Sequence, residues 1–116
     1  MKVLIVLNDA PYGSERSYNG IRLAGSLAKQ DGTAVDVFLA GDAASCARSG
    51  QKVPNGYYNV GTMLSAVSRR GGRIGGCGTC MDARGLVEAD LMEGAHRSTL
   101  EEWTAWTLAA DKVVVF

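Results

Sequence analysis

The sequence has little of several residue types, and each shortage narrows the choice of function. Its 116 residues include three cysteines, two prolines and one histidine, and its 12 basic residues equal its 12 acidic ones. An odd number of cysteines is a poor basis for a secreted disulfide framework. A net charge of zero without a long basic run is not typical of nucleic-acid-binding proteins, so we predict no direct nucleic-acid partner.

Long hydrophobic runs are also missing. The apolar run near the N-terminus, Val3–Leu7, has five residues, which is too short for the core of a signal peptide or for a membrane span. We therefore expect a cytoplasmic protein with no membrane partner. Hydrophobic residues nevertheless make up 47% of the chain, as in ordinary globular proteins, and the length fits a single domain over residues 1–116.

Four segments predict strands, at residues 2–7, 34–40, 73–77 and 112–116. The first is a continuous run of β-branched residues and leucine, which predicts a strand buried on both faces as in parallel sheets. The last is also expected to be buried, whereas glycines weaken the pattern of the third. Residues 86–96 fit either a brief helix or a further short strand.

Apolar periodicity and capping residues predict helices between the strands. They are a helix capped by Ser14 and ended by Asp31 and Gly32, a short one at 42–47, one from Asn59 to Gly71, a short one at 79–84, and one opened by the capping box of Ser98 and Glu101. This alternation predicts an α/β fold with a parallel sheet and helices on both faces. In the last helix, Trp103 and Trp106 are expected in the core or at a subunit interface.

Sites in such sheets form at the carboxyl ends of the strands, near a switch in strand order. Asn8 and Cys77 each follow a predicted strand, so we expect both at one crevice. Cys77 begins the pattern Cys-Gly-Thr-Cys, and Cys80 ends it. A thiol reacts as the thiolate, and amide groups of a following helix together with the charge of Arg84 or Arg73 would lower the pKa of Cys77.

The residues alone leave four interpretations of this pair open. Cys77 and Cys80 are small buried hydrophobes, or a redox dithiol of the thioredoxin type, or a reactive site for sulfur chemistry. The fourth is a zinc site, which needs four ligands and therefore also Cys46 and His96. We favour sulfur chemistry and expect no metal and no cofactor.

Three separated motifs favour sulfur chemistry. "NDAPYGSE", "CGTCMDARG" and "WTLAADKVVVF" occur in this order, with "RSGQKVPNGYYN" between the first two. Together they resemble the DsrE/DsrF-like superfamily, most closely its YchN-like branch, over essentially the whole chain. The resemblance implies a three-layer α/β/α sandwich with a mainly parallel sheet of four to five strands. It also implies a homo-oligomer, either a trimer or a hexamer built from two trimers.

The same resemblance implies a function. Relatives carry sulfur as a cysteine persulfide and pass it between a donor and an acceptor protein, and the position of their carrier cysteine corresponds to Cys77. Cys80 is absent from many of these carriers and common in the YchN-like branch. A second thiol would release the sulfur by forming a disulfide, so the chain is either a sulfurtransferase-type carrier or a dithiol that discharges sulfur.

Other residues are predicted to line the site or to stabilise the thiolate. Asn8 and Tyr12 lie in the loop after the first strand, and Gly78 and Thr79 separate the two cysteines. Asp82 is expected to cap the short helix and to pair with Arg84, which would stabilise the thiolate of Cys77. Two other classes of function stay open, namely a C-x-x-C dithiol oxidoreductase and a scaffold that binds a small ligand or a protein.

Overall fold

A computed structural model describes residues 1–116 as five strands and four α-helices. The strands are β1 Lys2–Leu7, β2 Ala34–Leu39, β3 Arg73–Cys77, β4 Ala95–Ser98 and β5 Lys112–Val115. The helices are α1 Arg16–Ala28, α2 Val60–Arg69, α3 Gly78–Asp82 and α4 Leu100–Ala109, with 3₁₀ turns at Gly41–Ala47 and Glu88–Asp90. None of these helices combines the length and the apolar character that crossing a bilayer requires.

All five strands are parallel, in the order β4-β3-β2-β1-β5. The predicted α/β class is thus confirmed. The fifth strand is β4, which begins with the last two residues of the ambiguous segment and continues through Arg97 and Ser98. Side chains alternate between the two faces of the sheet. On β1, Val3 and Ile5 pack in the same cluster as Ile21 of α1, whereas Leu4 packs with Trp106 of α4.

The last strand differs from the prediction. Residues 112–116 were expected to form a buried strand, but β5 lies at the edge of the sheet beside β1. Its Val113 and Val115 side chains are 44% and 62% exposed. The apolar pattern therefore belongs to an edge strand, and its valine side chains are exposed in the single chain.

Two predicted helix caps are wrong by one residue. The N-cap residue of α1 is Glu15 and not Ser14. The Ser14 hydroxyl donates to the Asp9 carboxylate over 2.9 Å and accepts the Arg16 N–H over 3.5 Å. The capping box of Ser98 and Glu101 is replaced by Thr99, whose Oγ1 accepts the Glu102 N–H over 3.1 Å. Ser98 is unavailable as a cap since it is the last residue of β4 and is buried.

One charged pair lies inside the sheet. Asp36 of β2 is 4% exposed, and Arg73 of β3 donates to both of its carboxylate oxygens, from Nε over 2.8 Å and from Nη2 over 2.5 Å. The Arg73 guanidinium also lies 4.6 Å from the ring centre of Trp106. The hydrogen bonds to Asp36 are the main reason why the pKa of Arg73 is raised. The pair joins β2 and β3 at the end of the sheet opposite the cysteines.

Candidate functional site

The carboxyl ends of three neighbouring parallel strands, β1, β2 and β3, lie together at one end of the sheet. Asn8 follows β1, Gly41 follows Ala40 after β2, and Cys77 ends β3. Gly41 has a φ of +54°, a left-handed conformation that glycine adopts at little cost. This turn starts the 3₁₀ segment next to α3, so that the two cysteines and the end of β2 come together.

Cys77 lies between β3 and α3 as the N-cap residue of α3, and its side chain is partly exposed. Its Sγ atom is 3.4 Å from the Thr79 hydroxyl. Partial burial is the largest single influence and raises the pKa of the Cys77 thiol. Hydrogen bonds from the Cys80 side chain, the Thr79 hydroxyl and the two backbone N–H groups of these residues together outweigh it. The net pKa of Cys77 is lowered, which favours the thiolate.

The pKa of Cys80 shifts in the opposite direction to that of Cys77. Burial raises the pKa of its thiol, and the hydrogen bond that it makes with Cys77 raises it further. The Gly41 N–H donates to Cys80 Sγ over 3.1 Å and, together with the charge of Arg84, offsets part of this rise. The two thiols therefore differ, because the pKa of Cys77 is lowered and that of Cys80 is raised, so Cys77 is the member of the pair that loses its proton more readily.

A cleft of about 480 Å³ opens beside Cys77 between β3 and the start of α4. One wall is aromatic, because the Trp103 ring stacks on Phe38 with 4.3 Å between ring centres. The rim is polar and includes Arg97 and Glu101. This volume is within the range of small-molecule sites. Cys77 thus faces a space in which a small organic molecule fits, whereas Cys80 does not line it.

Arg97 is the cationic residue of this cleft, and no sequence pattern indicated its role. Its Nη1 and Nη2 atoms donate to the two Asp82 carboxylate oxygens over 2.7 and 3.0 Å. A Cβ at Gly78 would lie 2.8 Å from the guanidinium carbon of Arg97, so glycine is what allows the guanidinium to lie there. The pKa of Arg97 is raised, mainly by Asp82 and in part by Cys77.

The role of Arg97 could have been predicted from the sequence only by recognising strand β4. Arg97 is in register with Gly76, and Ser98 with Cys77, so β4 places Arg97 beside the cysteine motif. Its sequence, Ala-His-Arg-Ser, has no apolar run or alternation. The position of Arg97 therefore depends on strand pairing, which local sequence patterns do not reveal.

The two arginines that were predicted to lower the pKa of Cys77, Arg84 and Arg73, bind other groups. Arg84 pairs with Asp42 over 2.7 Å and not with Asp82, and its Nη1 donates to the Cys80 carbonyl over 2.9 Å. Its charge lowers the pKa of Cys80. Asp82 is the last residue of α3 and so does not cap its start. Arg73 begins β3, at the end opposite Cys77.

Asn8 and Tyr12 lie away from the cleft. Both the backbone N–H and the side-chain amide of Asn8 donate to the Phe116 carbonyl, over 3.1 and 3.0 Å. The switch in strand order lies between β1 and β5, so Asn8 and not Cys77 is at the switch. The Tyr12 hydroxyl donates to Gln51 over 2.5 Å and accepts the Val60 N–H over 3.2 Å. Tyr12 thus ties its loop to the start of α2.

The residues considered for a zinc site are apart from the pair. Cys46 is fully buried, and burial is the main cause that raises the pKa of its thiol to about 12. His96 is hydrogen-bonded to Glu102 through Nε2. No three His, Cys, Asp or Glu side chains are grouped so that they could hold a metal ion. The arrangement at the edge of the sheet is therefore a thiol site.

Comparison with known proteins agrees with this architecture. The model of the DsrE/DsrF-like family matches residues 1–116. Protein YchN of Escherichia coli K12 is 40% identical over 116 residues, which cover 99% of this chain and 98% of that protein. Protein MJ0989 of Methanocaldococcus jannaschii is 35% identical over 116 residues and is covered completely, as is this chain.

Two solved structures have the same fold. The crystal structure of the E. coli YchN protein superposes with a TM-score of 0.89 at 38% identity, covering 100% of this chain and 99% of that one. The structure of MTH1491 from Methanobacterium thermoautotrophicum gives a TM-score of 0.76 at 14% identity, with 99% and 98% coverage. At that identity the second structure supports the fold alone. The expected relationship is confirmed at the level of sequence as well as of fold.

Proposed function

This chain belongs to the DsrE/DsrF-like family, and from this premise we propose that it carries sulfane sulfur as a persulfide on Cys77. The observation that supports the proposal is the asymmetry of the two thiols. The pKa of Cys77 is lowered and that of Cys80 is raised, and only Cys77 lines the cleft. A carrier needs one accessible thiolate that is ready to attack, and Cys77 satisfies this requirement.

The loading step conserves atoms and electrons. The Cys77 thiolate attacks the outer sulfur of a persulfide donor, a new S–S bond forms at Cys77, and the S–S bond of the donor breaks. The donor leaves as a thiolate and takes up the proton that the sulfane sulfur carried. No oxidant or reductant is consumed, because one persulfide replaces another. The reverse exchange with a partner thiol unloads the sulfur.

Cys80 supports a second outcome at the same site. In this branch Cys80 loses its proton and attacks Cys77 Sγ, a Cys77–Cys80 disulfide forms, and hydrosulfide leaves with the electron pair. The sulfane sulfur is reduced and the two thiols are oxidised, so a cellular thiol reductant must restore them. The Gly41 N–H, 3.1 Å from Cys80 Sγ, favours this branch because it stabilises the attacking thiolate of Cys80.

Intact-protein mass spectrometry after incubation with inorganic polysulfide tests the proposal. We expect added sulfur atoms on the wild type and on Cys80→Ser, and none on Cys77→Ser. If Cys77 loads but keeps sulfur only in Cys80→Ser, the discharging branch is correct. If Cys77→Ser loads as well as the wild type, or if no version loads while a known carrier does, the assignment to Cys77 is wrong.

We also propose that the protein forms a homo-oligomer, a trimer or a hexamer. The apolar side chains left exposed in the single chain support this. Leu100 and Leu108 of α4 are 70% and 83% exposed, and Val115 of the edge strand is 62% exposed. Exposed apolar surface of this kind is typical of interfaces between subunits. Light scattering tests the proposal, and a monomer at micromolar concentration would contradict it.

A further inference from the structure

We infer that the sulfur donor for Cys77 is a small organic persulfide that carries both a carboxylate and an ammonium group. This inference rests on the proposed function and adds the chemical class of the substrate. It comes from two charged side chains of opposite sign, Arg97 and Glu101, that line the same cleft as Cys77.

Arg97 has a donor left for a ligand. Its hydrogen bonds to Asp82 use Nη1 and Nη2, and its Nε–H makes no bond within the protein. The Nε atom lies over Gly78, 2.9 Å from the position that a Cβ would occupy there, and Gly78 is the residue that follows Cys77 in the chain. A carboxylate is the partner that an arginine N–H bonds most strongly in such a cleft.

Glu101 supplies the opposite charge. None of the five ion pairs in the structure includes it, although it lines the cleft with Leu100 and Trp103. An unpaired carboxylate beside a site for anionic sulfur would repel its substrate. A substrate that also carries a positive group turns this repulsion into attraction, and an ammonium is the simplest such group.

The walls of the cleft set the remaining chemistry. The Trp103 and Phe38 rings form a stacked apolar surface, against which a short carbon chain fits. A cleft of about 480 Å³ accepts a molecule of amino-acid size and excludes a folded protein domain. An amino acid persulfide thus places its sulfane sulfur at Cys77, its carboxylate at Arg97 and its ammonium at Glu101.

Three freshly prepared donors separate these contributions. Cysteine persulfide has both charged groups, mercaptopropionate persulfide has only the carboxylate, and mercaptoethanol persulfide has neither. The rate of Cys77 loading is followed by intact mass as a function of donor concentration. For the wild type we expect the lowest half-saturating concentration with cysteine persulfide and the highest with mercaptoethanol persulfide, about a hundredfold apart, since each charged contact contributes about tenfold.

Single substitutions test each contact. Glu101→Gln should raise the half-saturating concentration of cysteine persulfide about tenfold, because the contact with the ammonium is lost. It should raise it for neither of the other two donors, and mercaptopropionate persulfide should load at a lower concentration because a repulsion is removed. Arg97→Gln should raise the half-saturating concentration for both donors that carry a carboxylate and not for mercaptoethanol persulfide. Asp82→Asn breaks the same ion pair but keeps the guanidinium, so it should keep the preference for carboxylates. Glu93→Gln, at an exposed position outside the cleft, is the control for loss of one negative charge.

These experiments distinguish a failure of the inference about the donor from a failure of the proposed persulfide function. If Cys77 loads from all three donors equally well, or if Arg97→Gln slows all three by the same factor, the inference is overturned while the persulfide function stands. Efficient loading only from a persulfidated protein would also overturn it. If neither these donors nor polysulfide load Cys77, both the inference and the proposed function are wrong.

Discussion

The Gly41 N–H donates a hydrogen bond to the Sγ atom of Cys80 over 3.1 Å. This contact joins the end of β2 to the cysteine motif after β3, across 39 positions of the chain. A sulfur that accepts a bond from a backbone amide can still donate its own proton to a neighbour. The position of the Cys80 sulfur is therefore fixed by a backbone group that follows a different strand, and Cys80 also lowers the pKa of Cys77.

The first prediction concerns this effect of Cys80. Removing the Cys80 thiol in Cys80→Ala should raise the pKa of Cys77, because its strongest hydrogen-bond donor is lost. The pH dependence of Cys77 alkylation by iodoacetamide should therefore shift to higher pH. Cys80→Ser keeps a hydroxyl donor and should shift less. Identical pH profiles for Cys80→Ala and the wild type would contradict the assigned roles.

The second prediction concerns the Gly41 turn. Gly41→Ala should lower the free energy of unfolding by about 1 kcal/mol, because an alanine resists the left-handed conformation. Crowding should contribute little, since the added Cβ would meet only the Asn8 carbonyl oxygen at 3.7 Å. Gly41→Asn should cost less than alanine does, since asparagine tolerates this conformation. Urea denaturation measures both, and equal losses for the two variants would point to crowding and not to the backbone.

The third prediction concerns the buried Cys46. Its pKa of about 12 means that the folded state keeps the proton above pH 9, whereas the unfolded chain loses it near pH 8.5. The unfolded state then binds fewer protons, so stability falls as pH rises. Between pH 9 and 11 the wild type should lose about 1 kcal/mol per pH unit more than Cys46→Ala does.

Urea midpoints at several pH values test this difference and cancel the contribution of lysines and tyrosines that both proteins share. Parallel pH dependences for the two proteins would show that Cys46 is not protected. The native protein should also resist alkylation at Cys46 up to pH 10, whereas the denatured protein should react at all three cysteines.

The fourth prediction concerns Asp36 and Arg73. Arg73→Ala leaves a carboxylate that is 4% exposed without its partner, and we expect a loss of about 2 kcal/mol. This is less than for a fully buried pair, because half of the Arg73 side chain, 48%, is exposed. The double variant Asp36→Val, Arg73→Met should recover most of the loss. Equal urea midpoints for Arg73→Ala and the wild type would contradict it.

Sequence patterns predicted the centre of this fold better than its edges. Val3–Leu7 is buried on both faces, so its whole length is apolar and the strand is recognisable. Strand β4 lies at the edge, and His96 and Arg97 interrupt any pattern. Its pairing with β3 arises from the tertiary structure. The same is true of the arginines, because which of Arg84 and Arg97 meets Asp82 depends on strand register.

The predicted site was partly local and partly not. Cys77, Gly78, Thr79 and Cys80 are adjacent in the chain, and the structure keeps them together as β3 passes into α3. Asn8 and Tyr12 were expected at the same crevice because they too follow a strand. They lie elsewhere since the order β4-β3-β2-β1-β5 places one whole strand between β1 and β3.

The parallel pairing of β1 with β5 has a practical consequence for work on the purified protein. Met1 lies at the end of the sheet remote from the cysteines, where its amino group donates to the Gly32 carbonyl. Phe116 lies at the same end of the sheet as Cys77, where the Asn8 side chain donates to its carbonyl. A sensor chip, affinity resin or fluorophore attached through Met1 would leave the Cys77 cleft facing the solution. The same attachment through Phe116 would crowd that end.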